Sequence, residues 1–343
     1  MTGGSGKSMD IVTLKLHQTK KTEYKRMKEI VAGVDIGGTN TKIGFVDAQG
    51  EILAEGGLPT AEYELAEHFV TALDATIKKM LAGHNDLKLT GIGIGAPNAN
   101  FNKGTIELAP NLNWKGIVPL VAMVERQTGV KARVTNDANA AALGEMIFGA
   151  AKGVKNFIIL TLGTGLGSGI VIDGEVVYGP TGFAGELGHM TMVQGGRECG
   201  CGRRGCLETY ASATGLVRTV MELLGDSRGE SVLRDMKSSE ITSRMVAEAA
   251  AAGDGIAAEA LDRTAHMIAL GIANSVIFSS PEKIFLFGGL AQAGDAILVP
   301  VRRYAVELTQ PVFRGTFTVE PSGLPEARAA VLGASALIWK EAQ

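Results

Sequence analysis

The sequence has no run of about 18 consecutive apolar residues, so no membrane-crossing helix is expected. The first thirty residues also lack the apolar core of a secretory signal. They are polar and basic, with seven Lys or Arg against three Asp or Glu. Neither sign of charge dominates the chain: 33 Lys and Arg stand against 36 Asp and Glu, and a net charge of −3 gives no hint of a nucleic-acid partner. Cysteine is scarce. There are three, an odd number for a disulfide framework, and all of them fall between Cys199 and Cys206. These absences together suggest a cytoplasmic protein with reduced thiols, no membrane partner and no nucleic acid.

Glycine, by contrast, is plentiful, with 46 residues that cluster. Clustered glycines mark tight turns or backbone that approaches a ligand closely. Two of the clusters resemble nucleotide motifs and fail on inspection. The stretch Gly3–Ser8, "GGSGKS", would need its first P-loop glycine at position 1, which is Met1, and no strand precedes it. The stretch Gly91–Pro97, "GIGIGAP", fits a loose dinucleotide pattern, but Pro97 and "NANFNKGT" read as loop where a helix should begin, so a buried strand running into a loop is expected.

The length suggests two domains of about 100–150 residues each. Residues 31–59 read as strand, glycine turn and hairpin, and residues 62–82 as an amphipathic helix with Leu65, Phe69, Leu73, Ile77 and Leu81 on one face. Residues 88–97 then read as strand, 119–129 as helix, 131–136 as strand and 137–150 as helix. The order apolar strand, Gly/Thr turn, apolar strand, short turn, apolar strand returns in "NFIILTLGTGLGSGIVIDGEVVYG", which closes at Asp173–Gly174. This approximate duplication implies two similarly built α/β domains. Helices near 209–223, 241–252, 256–278, 291–309 and 326–341 and a strand "KIFLFGG" complete the pattern.

Three glycine turns each follow an apolar strand: "DIGGTN" at 35–40, "LGTGLGSG" at 162–169 and "FGGL" at 287–290. Backbone N–H groups that converge in such turns form anion-binding concavities, and Thr39 and Thr164 add hydroxyl donors. Asp35 is an anion beside one of them, a placement that a Mg²⁺ ion bridging to phosphate would explain. Asn136, Asp137 and Asn139 gather at a strand end, where α/β sheets place ligands. From spacing alone, Asp137 is balanced between helix cap and general base for phosphoryl transfer. Cys199, Cys201 and Cys206 with His189 upstream make four N/S ligands, a set suited to structural Zn²⁺. Such an ion would pin the loop and hold the flanking Glu186 and Glu208 as acceptors for polyol hydroxyls. Arg203 and Arg204 either balance thiolate charge or are solvated.

The segments "DIGGTNTK", "GIGAPN", "NLNW", "NDANAA", "LGTGLGSG", "GELGH", "CGCGRRGCLE" and "FGGL" occur in the order seen in the ROK family of cytosolic sugar kinases and sugar-responsive repressors, and the resemblance spans residues 30–341. Within the family the chain looks most like bacterial glucokinases. The resemblance implies two actin-like, hexokinase-type (RNase H-like) α/β domains around an interdomain active-site cleft. Their expected extents are a basic extension 1–30, a first domain 31–145 completed by the C-terminal helix 326–343, and a second domain 146–325 with the zinc loop 189–206. It also implies ATP and Mg²⁺, Asp137 as catalytic base, and sugar contacts from Asn111, Asn136, Glu186, His189 and Glu208, with His189 serving both zinc and sugar. Asp35, Gly37, Gly38, Thr39, Asn40 and Lys42, then Gly163, Thr164 and Gly165, and finally Gly288 and Gly289, match nucleotide positions. A homodimer, or a dimer of dimers, is expected. The thirty residues before the first strand are too few for the winged domain of the family's repressors, which favours the enzyme over a regulator. Glucose is the expected substrate, with an N-acetylhexosamine as the alternative.

Overall fold

A computed structural model of the protein describes Met1 and residues 27–342. The P-loop-like stretch Gly3–Ser8 and most of the basic extension lie outside the described residues.

The chain opens with three antiparallel strands, β1 (Lys28–Ile36), β2 (Thr41–Val46) and β3 (Ile52–Leu58). The turn between β2 and β3 closes because the buried Asp47 accepts hydrogen bonds from the backbone N–H groups of Gln49 and Glu51 at 2.9 and 2.8 Å. Helix α1 (Ala66–Ala82) follows, four residues later than expected. Thr60–Glu62 form a 3-10 turn instead, and Leu65, expected on the apolar face, is exposed at the helix entrance, whereas Phe69, Leu73 and Ile77 are buried. Next come β4 (Leu87–Gly95), the short strands β5 (Ala99–Asn100), β6 (Thr105–Glu107) and β7 (Ile117–Val118), helix α2 (Leu120–Thr128), β8 (Ala132–Thr135) and α3 (Asp137–Ile147). Strands β1–β4 and β8 form one sheet in the order β3-β2-β1-β4-β8. The stretch Gly91–Pro97 runs from β4 into a loop, not a helix.

The second half repeats the plan. Strands β9 (Phe157–Leu162), β10 (Leu166–Ile172) and β11 (Glu175–Val176) are antiparallel neighbours. Helices α4 (Glu208–Ala211) and α5 (Ala213–Asp226) stand where one helix was expected. Ser212 divides them, its side chain accepting from the Gly215 N–H as the cap of α5. Then follow α6 (Ser243–Ala251), α7 (Gly255–Ser279), β12 (Lys283–Phe287), α8 (Asp295–Leu308), β13 (Thr318–Pro321) and α9 (Glu326–Glu341). The second sheet runs β11-β10-β9-β12-β13. Position by position its order and strand directions match the first sheet, so the duplicated sequence pattern is a duplicated sheet.

Two helices join the halves. Helix α9 lies across β1 and β4 so closely that a Cβ on Gly33 or Gly93 would collide with the carbonyl oxygen of Val331 or Ala334. The same helix sends Ala336 and Leu337 into a core shared with α3, β9 and β12. Helix α3 follows the last strand of the first sheet but packs on β9 and β10 of the second.

Candidate active site

Asn136 has an extended backbone, and its side-chain oxygen accepts from the Asn139 N–H at 2.8 Å. Asn136 is therefore the cap of α3. Asp137 is its first helical residue and is free of that duty, with its Oδ1 accepting from the backbone of its neighbour Ala138 at 3.0 Å. The Asp137 carboxyl is open to solvent, yet protein crowds it from most directions. Lost hydration pushes its pKa up, against the pull of the Ala138 N–H. Asn139, the third member of the group, is buried inside α3.

Asp35 sits half-buried near the end of β1. Burial, reinforced by the charge of Asp137, holds its carboxyl above the ordinary range, while Lys42 pulls the other way. Glu186 is raised in turn by burial, and Asp137 and Glu208 add to the rise while His189 opposes it. Asp35, Asp137, Glu186, His189 and Glu208 come from β1, α3, a 3-10 turn and α4, and they share one electrostatic neighbourhood where the two sheets meet. Perturbed carboxyls gathered in this way mark functional sites more often than structural ones.

Glu208 faces two ways. Its Oε1 accepts from Cys199 Sγ at 2.9 Å and lies 3.6 Å from His189 Nδ1. Its Oε2 reaches the Leu166 N–H at 3.5 Å, beside the turn between β9 and β10. The ligand atoms of His189, Cys199, Cys201 and Cys206 all lie within 4.8 Å of one another. Cys201 and Cys206 are 3.7 Å apart, and Cys199 Sγ is 3.5 Å from His189 Nδ1. A tetrahedral zinc with Zn–S of about 2.3 Å and Zn–N of about 2.0 Å requires ligand separations of about 3.8 Å between sulfurs and about 3.5 Å between sulfur and nitrogen. The residues therefore fit the ion.

The same loop is also braced by arginines. Arg197, with only 9% of its side chain exposed, bonds Glu222, Thr219 and the carbonyls of Thr209 and Gly215, and it stacks over Tyr210. Arg204 reaches Glu198 at 2.6 Å and the carbonyl of Gly196 at 3.1 Å, and Arg203 reaches Thr191 at 2.7 Å. These arginines cross-link the loop.

The glycine turns form two groups. In the first sheet, the Gly37 N–H closes on Asn40 at 3.1 Å, the Thr39 carbonyl accepts from Ala61, and the Asn111 backbone lies against Gly38. In the second, the Gly163 carbonyl accepts from the Ala213 N–H at 2.9 Å and the Thr164 carbonyl from Thr214 at 2.6 Å. Gly288, at a φ of 101°, packs on the Leu162 backbone, which brings Gly288 and Gly289 beside Gly163–Gly165. Three contributors escaped the sequence reading: Ser168, whose hydroxyl donates to the Gly185 carbonyl and accepts from Leu187; Tyr178, stacked on Phe101; and Asn100. Each contacts backbone or a residue distant in sequence, so no local spacing announces it.

The ROK family model matches residues 31–341. The chain belongs to the ROK family. It is 40% identical to a glucokinase of Halalkalibacterium halodurans over 277 residues, which is 79% of this chain and 84% of that protein. Its structure is similar to that of a ROK family glucokinase from Streptomyces griseus in complex with glucose and AMPPNP, with a TM-score of 0.74 and 34% identity over 90% of this chain and 98% of the other. It is also similar to a ROK family transcriptional regulator, with a TM-score of 0.82 and 27% identity over 92% of this chain and 78% of that one. The hexokinase-type two-domain fold of the ROK sugar kinases is thus the fold of this chain, as its paired sheets require. No helix among the described residues is long and apolar enough to cross a membrane.

Proposed function

We propose that this protein is an ATP-dependent hexose kinase that transfers the γ-phosphoryl group of ATP to the 6-hydroxyl of glucose. The observation that carries the reading is that Asp137 lies close enough to Asp35 and to Glu186 to raise both carboxyls, while Glu186 also feels His189 and Glu208. Phosphoryl transfer needs a base at the acceptor hydroxyl, an anion cradle and positioning of both substrates.

Asp137 takes the hydroxyl proton on a carboxylate oxygen as the oxygen attacks the γ-phosphorus, and ADP leaves with the bridging oxygen. The crowding that raises its pKa brings that base nearer to the working pH. Glu186, His189, Glu208, Asn111 and Asn136 hold the other sugar hydroxyls. With Nδ1 turned to Cys199, His189 keeps Nε2 for the sugar. The N–H groups and hydroxyls around Gly37–Asn40, Gly163–Gly165 and Gly288–Gly289, with Lys42, receive the nucleotide. Mg²⁺ would lie near Asp35 and neutralise phosphate charge. Zn²⁺ held by His189, Cys199, Cys201 and Cys206 would supply rigidity only, since four protein ligands leave no position for substrate.

A coupled ADP-release assay over glucose, mannose, N-acetylglucosamine and N-acetylmannosamine tests this, run beside a gel shift with sugar-operon promoter DNA. The expected result is glucose-dependent ADP release with the highest kcat/KM and no shift. A preference for an N-acetylhexosamine replaces the substrate, and a sugar-sensitive DNA shift without ADP release overturns the enzyme.

A further inference from the structure

The segment that presents Glu186 leaves the second sheet after β11 and is gripped by the first half of the chain. Asn100, fully buried on the small β5-β6-β7 sheet, donates from Nδ2 to the Thr181 carbonyl at 2.9 Å and to Glu107 Oε1 at 3.1 Å. Its Oδ1 accepts from the Lys103 N–H at 3.3 Å, so the amide is satisfied on both ends. Asn102 Nδ2 donates to the Gly179 carbonyl at 2.8 Å. Between them Phe101 stacks on Tyr178, with ring centroids 4.2 Å apart and planes within 5°. Strand β5 itself packs against β8, whose last residue, Thr135, stands two residues before Asp137.

The fit at Gly182 is close. Its φ is 82°, and a Cβ there would collide with the Asn100 amide. At its far end the segment is fastened again, because Ser168 bonds the Gly185 carbonyl and the Leu187 N–H. Glu186 therefore hangs on a strap tied at one end to the second sheet and at the other to the small β5-β6-β7 sheet of the first half.

We propose that Asn100 is a positioning residue for the sugar: through Thr181 and Gly182 it sets where Glu186 stands relative to Asp137. The role rests on the kinase reading above. Buried polar groups of this kind specify one arrangement because no partial set of bonds is tolerable. A displacement of about 1 Å in a positioning group can cost about a hundredfold.

The test uses the full-length protein. Asn100→Ala should weaken glucose affinity by titration calorimetry, and raise glucose KM, about ten- to hundredfold, with kcat at saturating sugar and the KM for ATP within about threefold of the parent. Gly182→Ala should move the same constants in the same direction. Asn102→Ala, at an exposed position, should do so more weakly and keeps the test sound should Asn100→Ala fold poorly. In a Glu186→Gln background, Asn100→Ala should add less than about twofold, because a positioning residue has nothing left to position. A purely structural asparagine predicts a lower Tm with sugar constants unchanged, or full additivity with Glu186→Gln, and either result overturns the proposal. Hydrogen exchange separates this inference from the functional reading. Asn100→Ala should speed exchange across residues 179–187 and leave α9 unchanged, whatever the substrate. Were the parent to bind no hexose, the kinase reading would fall, and unchanged exchange in the variant would sink the strap.

Discussion

At the scale of single residues, the division of labour between Asn136 and Asp137 matters most. Asn136 meets the helix's need for a cap, which leaves a carboxylate at the next position without a structural task. Asp137→Asn should therefore lower kcat by about 10²–10⁴-fold while glucose affinity, measured by calorimetry, persists. Near-normal turnover would remove Asp137 from the role of base. The direction of the pKa shifts predicts a pH profile. A base must be ionised to accept a proton, and the Asp137 carboxyl is held above its ordinary value by crowding. Activity should fall as the pH drops through that raised value, earlier than for an ordinary carboxylate, and the surviving activity of Asp137→Asn should lose that limb. The same shifts have a cost in stability. Asp35 holds its proton more tightly folded than unfolded, so its ionised form, present above the raised value, destabilises the fold, and acidification relieves this. Asp35→Asn should accordingly raise Tm at neutral pH while reducing turnover most at low Mg²⁺; a lower Tm would contradict the assignment.

At the scale of elements, the seam between α9 and the first sheet is a close helix-on-sheet contact made possible by missing side chains. Gly93→Ala forces a methyl against the Ala334 carbonyl and should cost about 1–3 kcal/mol or more in denaturant unfolding, with no change in m-value. Had the helix room to lift, the loss would be near zero. The loop that carries His189 and the three cysteines behaves differently. Cys201→Ser should abolish stoichiometric zinc by elemental analysis and raise glucose KM, but Arg197 keeps its hold on α5, so the damage should concentrate at residues 198–206 in hydrogen exchange. Zinc retention together with a normal KM would dismiss the scaffold role. Much of this architecture could be read in advance. Strands β1, β2, β9 and β10 and helix α9 carry unbroken apolar patterns, and the candidate metal ligands sit within one short stretch. Strands β5, β6 and β7 are only two or three residues long, and β13 ends in Pro321, so none shows a usable alternation. Ser212 and Gly294 each divide a helix that periodicity alone runs together, because a cap or a turn residue interrupts backbone geometry without disturbing the apolar face. In the site, Asp137 and the glycine turns were visible as motifs, whereas Asn100 and Tyr178 act across the fold.

At the scale of the whole molecule, the two sheets meet around the carboxylate cluster and are tied by α3 and α9. Surface ion pairs reinforce the second tie: Glu341, in the last turn of α9, bonds Lys131 at 2.5 Å and Arg133 at 2.8 Å on the first half. If sugar and nucleotide draw the halves together, glucose with a non-hydrolysable ATP analogue should reduce the radius of gyration in solution scattering, and glucose alone should do part of this. Identical scattering curves would argue for a cleft that works without closing.

The placement of α9 also bears on how the chain is made. The first sheet is synthesised early, yet the bare glycine face of β1 and β4 is covered by residues near 331–338, from much later in the chain. The first half therefore waits, with its groove uncovered, until α9 has left the ribosome. Chains cut short before residue 326 should therefore be removed by proteases instead of accumulating as a stable half, and folding of the first sheet becomes an event that awaits α9.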